Sequence, residues 1–483
     1  MRAALVLGTQ LLARHPAVDD PRTDLVLVVE SAALFERLPY HQIKIAFLLA
    51  AMRHHVRDLE SRGVAVATIA VDEDLGFAEG VETLVRRHGV TELSWMRAAD
   101  RGTDDRLGRL CERLGIVADP VADVAFLTPE AEVDAWYAEH PQSRMEDFYR
   151  WQRQRTGILM DGTDPVGGRW NFDHDNREPL PRGGIDVPPL PDPRRDDLTR
   201  ATIDEVRVRF PGHPGDARDL WLPVTRRSAL HWLQRFVEER LPSFGRFEDA
   251  MHRDEPVLFH SVLTPMLNVG LLTPGEVVDA ALERGDEVPL ASLEGFVRQI
   301  VGWREHMRGM YRAHPELEHA NALELTRELE DWWYTLDDVP LTLPEPVRVV
   351  LQRVHALAYA HHIERLMVLG SWMLMQGYAP ASVNRWFLSL FVDAYEWVMV
   401  PNVMGMSQYA DGGLVGTKPY VSGGAYLQRM GRWWSSDRAA RDSAMTDAYW
   451  AFLERHEGAL RGNHRLSRPL AQMRQRRAER EGG

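Results

Sequence analysis

AALVLG (3–8), DLVLVVE (24–30), VAVATIAV (64–71) and ELSWM (92–96) are four apolar runs of strand length near the start of the chain. Their apolar character continues through consecutive positions, which suits strands covered on both faces. Between the second and third lies IKIAFLLAAMRHHVRDLESRG (43–63), long enough for several helical turns. Strands alternating with helices predict a parallel sheet joined by right-handed crossovers. VADVAF (121–126) is expected to add one more strand and close this part.

From Glu130 to about Leu198, Pro, Gly and Asp are frequent, and GTDPVGGRWNFDHDNREPLPRGG (162–184) is the least regular part. This stretch reads as a connector. Beyond it, apolar residues recur at helical spacing in SALHWLQRFVEERL (228–241), LEGFVRQIVGWREHMRGMY (293–311), VRVVLQRVHALAYAHHIERLMVLGSWMLMQG (347–377) and VNRWFLSLFVDAYEWVMV (383–400). The expected organisation is an α/β, Rossmann-like domain over 1–128, a connector over 129–198 and an all-α domain over 199–483.

With 483 residues, 45% apolar and 27% charged, the chain can form two or three cores, which excludes a disordered protein. The formal net charge is −14, so any nucleic-acid surface must be local. The single cysteine, Cys111, excludes an internal disulfide and any all-cysteine cluster site built from this chain. The apolar run before Arg14 is too short for a secretory signal and none reaches bilayer length, so a cytoplasmic, membrane-free protein is expected. Lys44 and Lys418 are the only lysines, which draws attention to both.

In an open α/β sheet, ligands gather beyond the carboxyl ends of the strands. The turn GTQLL (8–12) lacks the further glycines of a dinucleotide fingerprint. Gln10 and the helix start near Tyr40 suit a planar heterocycle held by side-chain hydrogen bonds, and a plain strand–helix turn fits equally well. FHSVLTPMLNVGLLTPGE (259–276) sets Ser261 and Thr264 at a helix opening, which suits an anion or ordinary capping. Arg304, Arg308 and Arg312 share a helical face that either receives phosphates or pairs with Glu305. His361, His362, Trp386, Asp393, Tyr395, Glu396 and Asn402 crowd into apolar segments, where buried polar groups require partners. Adjacent histidines on a helix point about 100° apart and do not chelate one ion together, so no metal site is expected. Asp393 and Glu396 suit acid–base work or compensation of a buried Arg365. The 15 tryptophans suit core packing, stacking on a planar cofactor, or electron hopping.

FGRFEDAM (244–251), FHSVLTPMLNVGLL (259–272), LEGFVRQIVGWREHMRG (293–309), YAHHIERLM (359–367) and DAYEWVMVPNVMGMSQYADGGLVGTKPY (393–420) together resemble the bacterial cryptochrome/photolyase family. The closest branch is that of the prokaryotic 6-4 photolyases and iron–sulfur bacterial cryptochromes. The resemblance implies a photolyase-like fold with FAD in the helical domain, and blue-light-driven electron transfer from reduced flavin to a 6-4 photoproduct in damaged DNA. By position, Phe247, Ser261, Leu263, Thr264, Asn268, Gln299, Arg304, Arg365, Asp393, Glu396 and Asn402 would hold the FAD. His362, Leu366, Met406, Lys418 and Tyr420 would form the lesion site, with His362 assisting proton transfer. Trp386, Trp333 and Tyr395 would carry electrons, and Gln10 and Lys44 would contact a lumazine-type antenna.

The branch ligates an iron–sulfur cluster with four cysteines in the C-terminal half. Here Trp434, Asp437 and Ser443 stand about where three would be and VPLTLPEP (339–346) replaces the first, so no cluster is expected and Trp433 and Trp434 would fill the space. DNA would meet a local arginine-rich face drawn from Arg304, Arg308 and the tail RQRRAER (474–480), and a monomer is expected. Two other classes compete: a cryptochrome-like blue-light receptor without repair, and a light-independent flavoprotein.

Overall fold

β1 (Arg2–Val6), β2 (Leu25–Val29), β3 (Val66–Ile69), β4 (Glu92–Met96) and β5 (Val117–Val121) form a parallel sheet in the order β3-β2-β1-β4-β5. These strands come from a computed structural model that describes residues 1–481. β1 is central, pairing Ala3 with Leu25 on one side and with Leu93 on the other. Every residue of β1 and β2 is buried. α1 (Gln42–Ser61) packs Phe47, Ala50 and Ala51 with Ala4, Val6, Val26 and Val28. α2 (Phe77–His88) and α3 (Thr103–Leu114) bring Val81, Leu84, Leu107 and Leu110 to Ala3, Leu5, Leu25 and Leu27 on the other face. Consecutive apolar residues are what a sheet covered on both sides requires.

The fifth strand begins at Val117, not at Val121 as VADVAF suggested, and pairs Val117 with Glu92 and Val121 with Met96. It is a half-exposed edge strand that includes Pro120, so it needs no apolar run. VADVAF instead turns away: Asp123 accepts the Ala125 N–H at 2.8 Å, and Leu127 N and Thr128 N donate to Glu305 at 3.1 Å each. The stretch after it is not irregular throughout. Glu130–Glu139 and Met145–Thr156 are helices with acidic first turns, and they pack Tyr137 and Phe148 against Met310.

Beyond residue 199 the long periodic segments are helices with deliberate breaks. Leu290–Val297 passes through a wide π-helical turn, Arg298–Arg304, into Glu305–Ala313. Glu345–Leu357 stops at Ala358, whose φ is +51°, and the chain resumes at His362 through a second π turn, Arg365–Gly370. Pro380–Leu390 stops before Phe391, and Glu396–Val400 leads into a third π turn, Pro401–Ser407.

The sheet and helical parts are joined by buried polar contacts. Lys44 Nζ donates to the carbonyls of Leu388 (2.7 Å) and Ala394 (2.6 Å), and His41 N donates to Ser389 O (2.9 Å). Leu11 N donates to Val269 O at 2.8 Å, beside Gly270, where a Cβ would lie 2.9 Å from that same nitrogen. Among the described residues no helix is long and apolar enough to cross a membrane.

Candidate functional site

The loop 258–264 is strained. Leu258 and Val262 have φ of +51° and +53°, a region that bulky and especially β-branched side chains avoid at a cost of about 1–2 kcal/mol. Val262 is followed by Leu263 in the right-handed region (φ −84°, ψ −16°), and such an alternation turns successive N–H groups toward one concavity that suits an anion. The helix that follows, Thr264–Val269, has no cap from its N-cap residue Leu263, and Ser261 Oγ accepts from Leu263 N at 3.4 Å. Ser261 O instead anchors the Trp232 indole at 2.9 Å. Asn268 Nδ2 donates to Asp393 O at 2.9 Å, while its buried Oδ1 has no partner.

The three π turns carry the next group of residues, and such turns recur where a helix must present function. Arg365 makes a bidentate pair with Asp393 at 2.9 and 3.0 Å, and its Nε donates to Ala360 O at 2.6 Å. The guanidinium lies 4.4 Å from the Phe391 ring centre and 5.4 Å from that of Tyr359. Asn402 Oδ1 accepts from the Trp303 indole at 3.1 Å and its Nδ2 donates to Val398 O at 2.7 Å. Gln299 is half-buried on the first π turn. The second and third π turns touch at Gly370, where a Cβ would lie 2.1 Å from Ser407 Oγ.

The histidine pair is a trio. His361 is buried and stacks on His260 (4.5 Å, 15°), and His362 stands edge-on to His260 at 5.2 Å. Burial pushes His260 and His361 well below the ordinary histidine range. The His362 side chain is 55% exposed, with Nε2 3.8 Å from Asp249 Oδ1. Behind His361, burial pushes Glu364 up to about 7, although it pairs with Arg353. Leu366 is buried one helical turn beyond His362, and Gly416 lets the 408–420 loop approach Met406 Cα and the Tyr420 ring, with a Cβ there 3.3 and 3.4 Å away. Lys418 lies half-buried on the same loop.

Trp386 and Trp333 are brought together: their rings are 5.6 Å apart and Trp386 Nε1 donates to Trp333 O at 2.9 Å. Phe391 links Trp386 (5.6 Å) to the Arg365 guanidinium. Trp332, half-buried, stacks on Trp333 at 4.4 Å. The sequence reading did not include Phe391 or Trp332 in this chain. Tyr395 is elsewhere, with its ring 5.2 Å from Lys44 Nζ.

A cavity of about 70 Å³ opens at the carboxyl ends of β1 and β4, where the strand order reverses direction. Gln10, Asp100 and Phe126 line it from the sheet side, and Asn268, Arg304, Tyr395 and Trp397 from the helical side. Gln10 Oε1, Asn268 Oδ1, Arg304 Nε and Tyr395 Oη are buried without partners around this one space. Burial pushes Asp100 up to about 6, with nearby Glu396 adding to the shift. Four orphaned polar groups around a cavity several times the size of one water fit a polar ligand.

Several expected placements are corrected. Lys44 does not line this cavity, because its ammonium is bonded to two backbone carbonyls. Arg304 and Arg308 form no DNA-facing surface: both are buried, Arg304 over Phe126 (4.2 Å) and Arg308 between Asp123 (3.1 Å) and Thr128 O (2.9 Å). Arg312 pairs with Glu130 and Asp134. Three of the four tail arginines are paired, Arg474 and Arg477 with Glu457 and Arg480 with Glu454, while the exposed Arg476 lies 4.9 Å from the Trp450 ring centre. Glu396 is 41% exposed and turned toward Arg37 at 3.5 Å, and Phe247 packs on Phe259 (5.4 Å) in a small core. Trp433 is buried in the same apolar core as Leu343 and Met430, with Trp434 packed partly buried against it.

The architecture is that of photolyases and cryptochromes. The chain superposes on a bacterial class III photolyase from Agrobacterium tumefaciens (TM-score 0.60, 15% identity, 95% of this chain and 91% of the other). It superposes equally on a cryptochrome from Synechocystis (TM-score 0.62, 13% identity, 94% and 89%). Within that class it belongs to the family described as deoxyribodipyrimidine photo-lyase-related protein, whose signature matches residues 4–221. It is 37% identical over 482 residues to a (6-4) photolyase of Agrobacterium fabrum, covering 97% of this chain and 94% of the relative.

Proposed function

We propose that the protein is a light-driven DNA repair enzyme acting on 6-4 pyrimidine photoproducts, with FAD as its cofactor. The observation that carries this reading is His362, half-exposed one turn from the Arg365–Asp393 pair and backed by two buried imidazoles. End-to-end similarity to a (6-4) photolyase supports it.

The residues fit the cofactor. The strained 261–264 turn suits a diphosphate, and the unpartnered Asn268 Oδ1 suits a hydrogen-bond donor. Ser261, Leu263, Thr264, Asn268, Gln299, Arg365, Asp393 and Asn402 would hold it. Bound there in its reduced form, the flavin would supply light-driven one-electron chemistry. Arg365 places a fixed positive charge, neutralised by Asp393, beside that site, and Asn402 presents an amide held by Trp303 and Val398. His362, whose Nε2 lies 3.8 Å from Asp249 Oδ1, gives a proton to the lesion and recovers it. Burial keeps His260 and His361 neutral behind it. The lesion must leave the helix stack to reach this pocket, which costs least for a damaged base pair. Leu366, Met406, Lys418 and Tyr420 form its walls.

The cavity at the strand ends would take an antenna chromophore of the lumazine type, a planar ring held by Gln10, Arg304 and Tyr395. A four-cysteine iron–sulfur cluster does not fit, since Cys111, the single cysteine, is buried against the sheet. A receptor reading without repair draws on one observation, the burial or pairing of all but Arg476 among the arginines expected to meet DNA.

The test is His362→Ala. Repair of a 6-4-containing oligonucleotide under blue light should be lost while bound flavin is retained. Repair at the wild-type rate would remove the role assigned to His362.

A further inference from the structure

Trp333 donates its indole N–H to the Tyr378 hydroxyl over 3.3 Å, and that hydroxyl donates to Glu330 Oε2 over 2.6 Å. Tyr378 is buried, with its ring perpendicular to Trp333 at 6.0 Å. Arg327 lies 4.5 Å from the Tyr378 ring centre and is paired with Glu330. A 2.6 Å O–H···O contact to a carboxylate is a short, charge-assisted hydrogen bond. Although burial opposes it, Tyr378 and Arg327 hold Glu330 below the usual carboxylate range, so it is an anion ready to take a proton. Burial, helped by the Glu330 carboxylate, pushes Tyr378 up to about 12, so at rest the phenol keeps its proton. The function argued above uses none of these three residues.

We propose that Tyr378 is a redox-active side chain that traps the oxidising equivalent arriving at Trp333, with Glu330 as its proton acceptor. This rests on the reading of Trp386 and Trp333 as electron carriers, for which the oxidant is photo-excited oxidised flavin. Loss of one electron toward Trp386 leaves Trp333 a radical cation. One electron then passes from Tyr378 to Trp333, restoring the neutral indole. The Tyr378 O–H bond breaks as an O–H bond forms at Glu330 Oε2. The products are a neutral tyrosyl radical and a neutral carboxylic acid, so the positive charge has been cancelled by the carboxylate. Return of the electron then requires return of the proton, which slows recombination. Trp332, stacked on the other side of Trp333, is the competing exit toward solvent.

Two sources of oxidation test the proposal. In the flavin-loaded protein frozen under blue light, electron paramagnetic resonance should show a radical whose spectrum narrows when tyrosine rings are deuterated. Tyr378→Phe, which keeps the ring, should lose that signal and leave a tryptophan radical. Glu330→Gln, which keeps an acceptor but removes the base, should cut the tyrosyl yield. A tyrosyl signal that survives Tyr378→Phe, or a yield indifferent to Glu330→Gln, overturns the proposal. The second source is flash-generated ruthenium(III) tris-bipyridine, which oxidises Trp332 from solution without flavin. A tyrosyl radical there that disappears in Tyr378→Phe supports the proposal even where light alone yields none, and the failure then belongs to the tryptophan-to-flavin reading. Tryptophan radicals alone under both sources overturn it.

Discussion

At the scale of single residues, the clearest design is the Arg365–Asp393 pair, since Asp393 is buried, Arg365 nearly so, and the carboxylate faces the guanidinium fork squarely. Removing one member of a buried pair costs about 3 kcal/mol because the other charge is stranded. Asp393→Asn is therefore expected to lower the flavin-to-protein absorbance ratio of the purified protein and its melting temperature together, and an unchanged ratio would contradict the site. Residue types alone had left Asp393 open between acid–base work and compensation of Arg365, and the structure decides for compensation. Glu396 shows the limit of motif reading: it lies three positions on, yet the chain turns at Tyr395 and sends its carboxylate toward Arg37. Tyr378 was invisible, because nothing in sequence spacing joins it to Trp333 and Glu330.

Among elements, the strands were legible because two-sided burial demands consecutive apolar residues, and β5 was misplaced because an edge strand carries no such demand. The helical segments were legible as periodic stretches, but their breaks were not. Those breaks, at Ala358 and Phe391 and through the three π turns, are where the candidate site lies. Gly370 is the contact between two π turns, so Gly370→Ala should destabilise by about 1–3 kcal/mol through overpacking on Ser407. Part of that loss should return in the Gly370→Ala, Ser407→Ala double variant, and strictly additive melting temperatures would contradict the contact. Trp386→Phe should slow photoreduction of bound flavin while leaving its content unchanged, because Trp386 joins Phe391 to Trp333. Unslowed photoreduction would direct the path elsewhere.

For the whole molecule, burial of ionisable groups sets a pH response. His15 and His306 are pushed down to about 3, His41 and His55 to about 4, and His260 and His361 well below their ordinary range, all chiefly by burial. Below about pH 6.5 the unfolded chain protonates these rings and the folded chain does not, so their stabilisation is complete above that pH and drains as pH falls. Six carboxylates raised by burial act in the opposite sense, Asp100 to about 6, Glu364 to about 7, and Asp123, Glu248, Glu294 and Asp411 in the same direction. With His54, His355 and His456 also lowered, nine histidines outnumber them. Each net proton is worth about 1.4 kcal/mol per pH unit, so the melting temperature should fall steeply from pH 6 to 4.5, and a flat profile would contradict the assignment. The −14 net charge and the paired arginines leave DNA binding dependent on a small local surface, which makes repair the claim most in need of a direct trial. The decisive measurement is illumination of the reduced, flavin-loaded protein with an oligonucleotide carrying one 6-4 photoproduct, followed by product analysis against a dark control. The account predicts intact pyrimidines that appear only in the light; bound flavin that photoreduces while the lesion persists would contradict it.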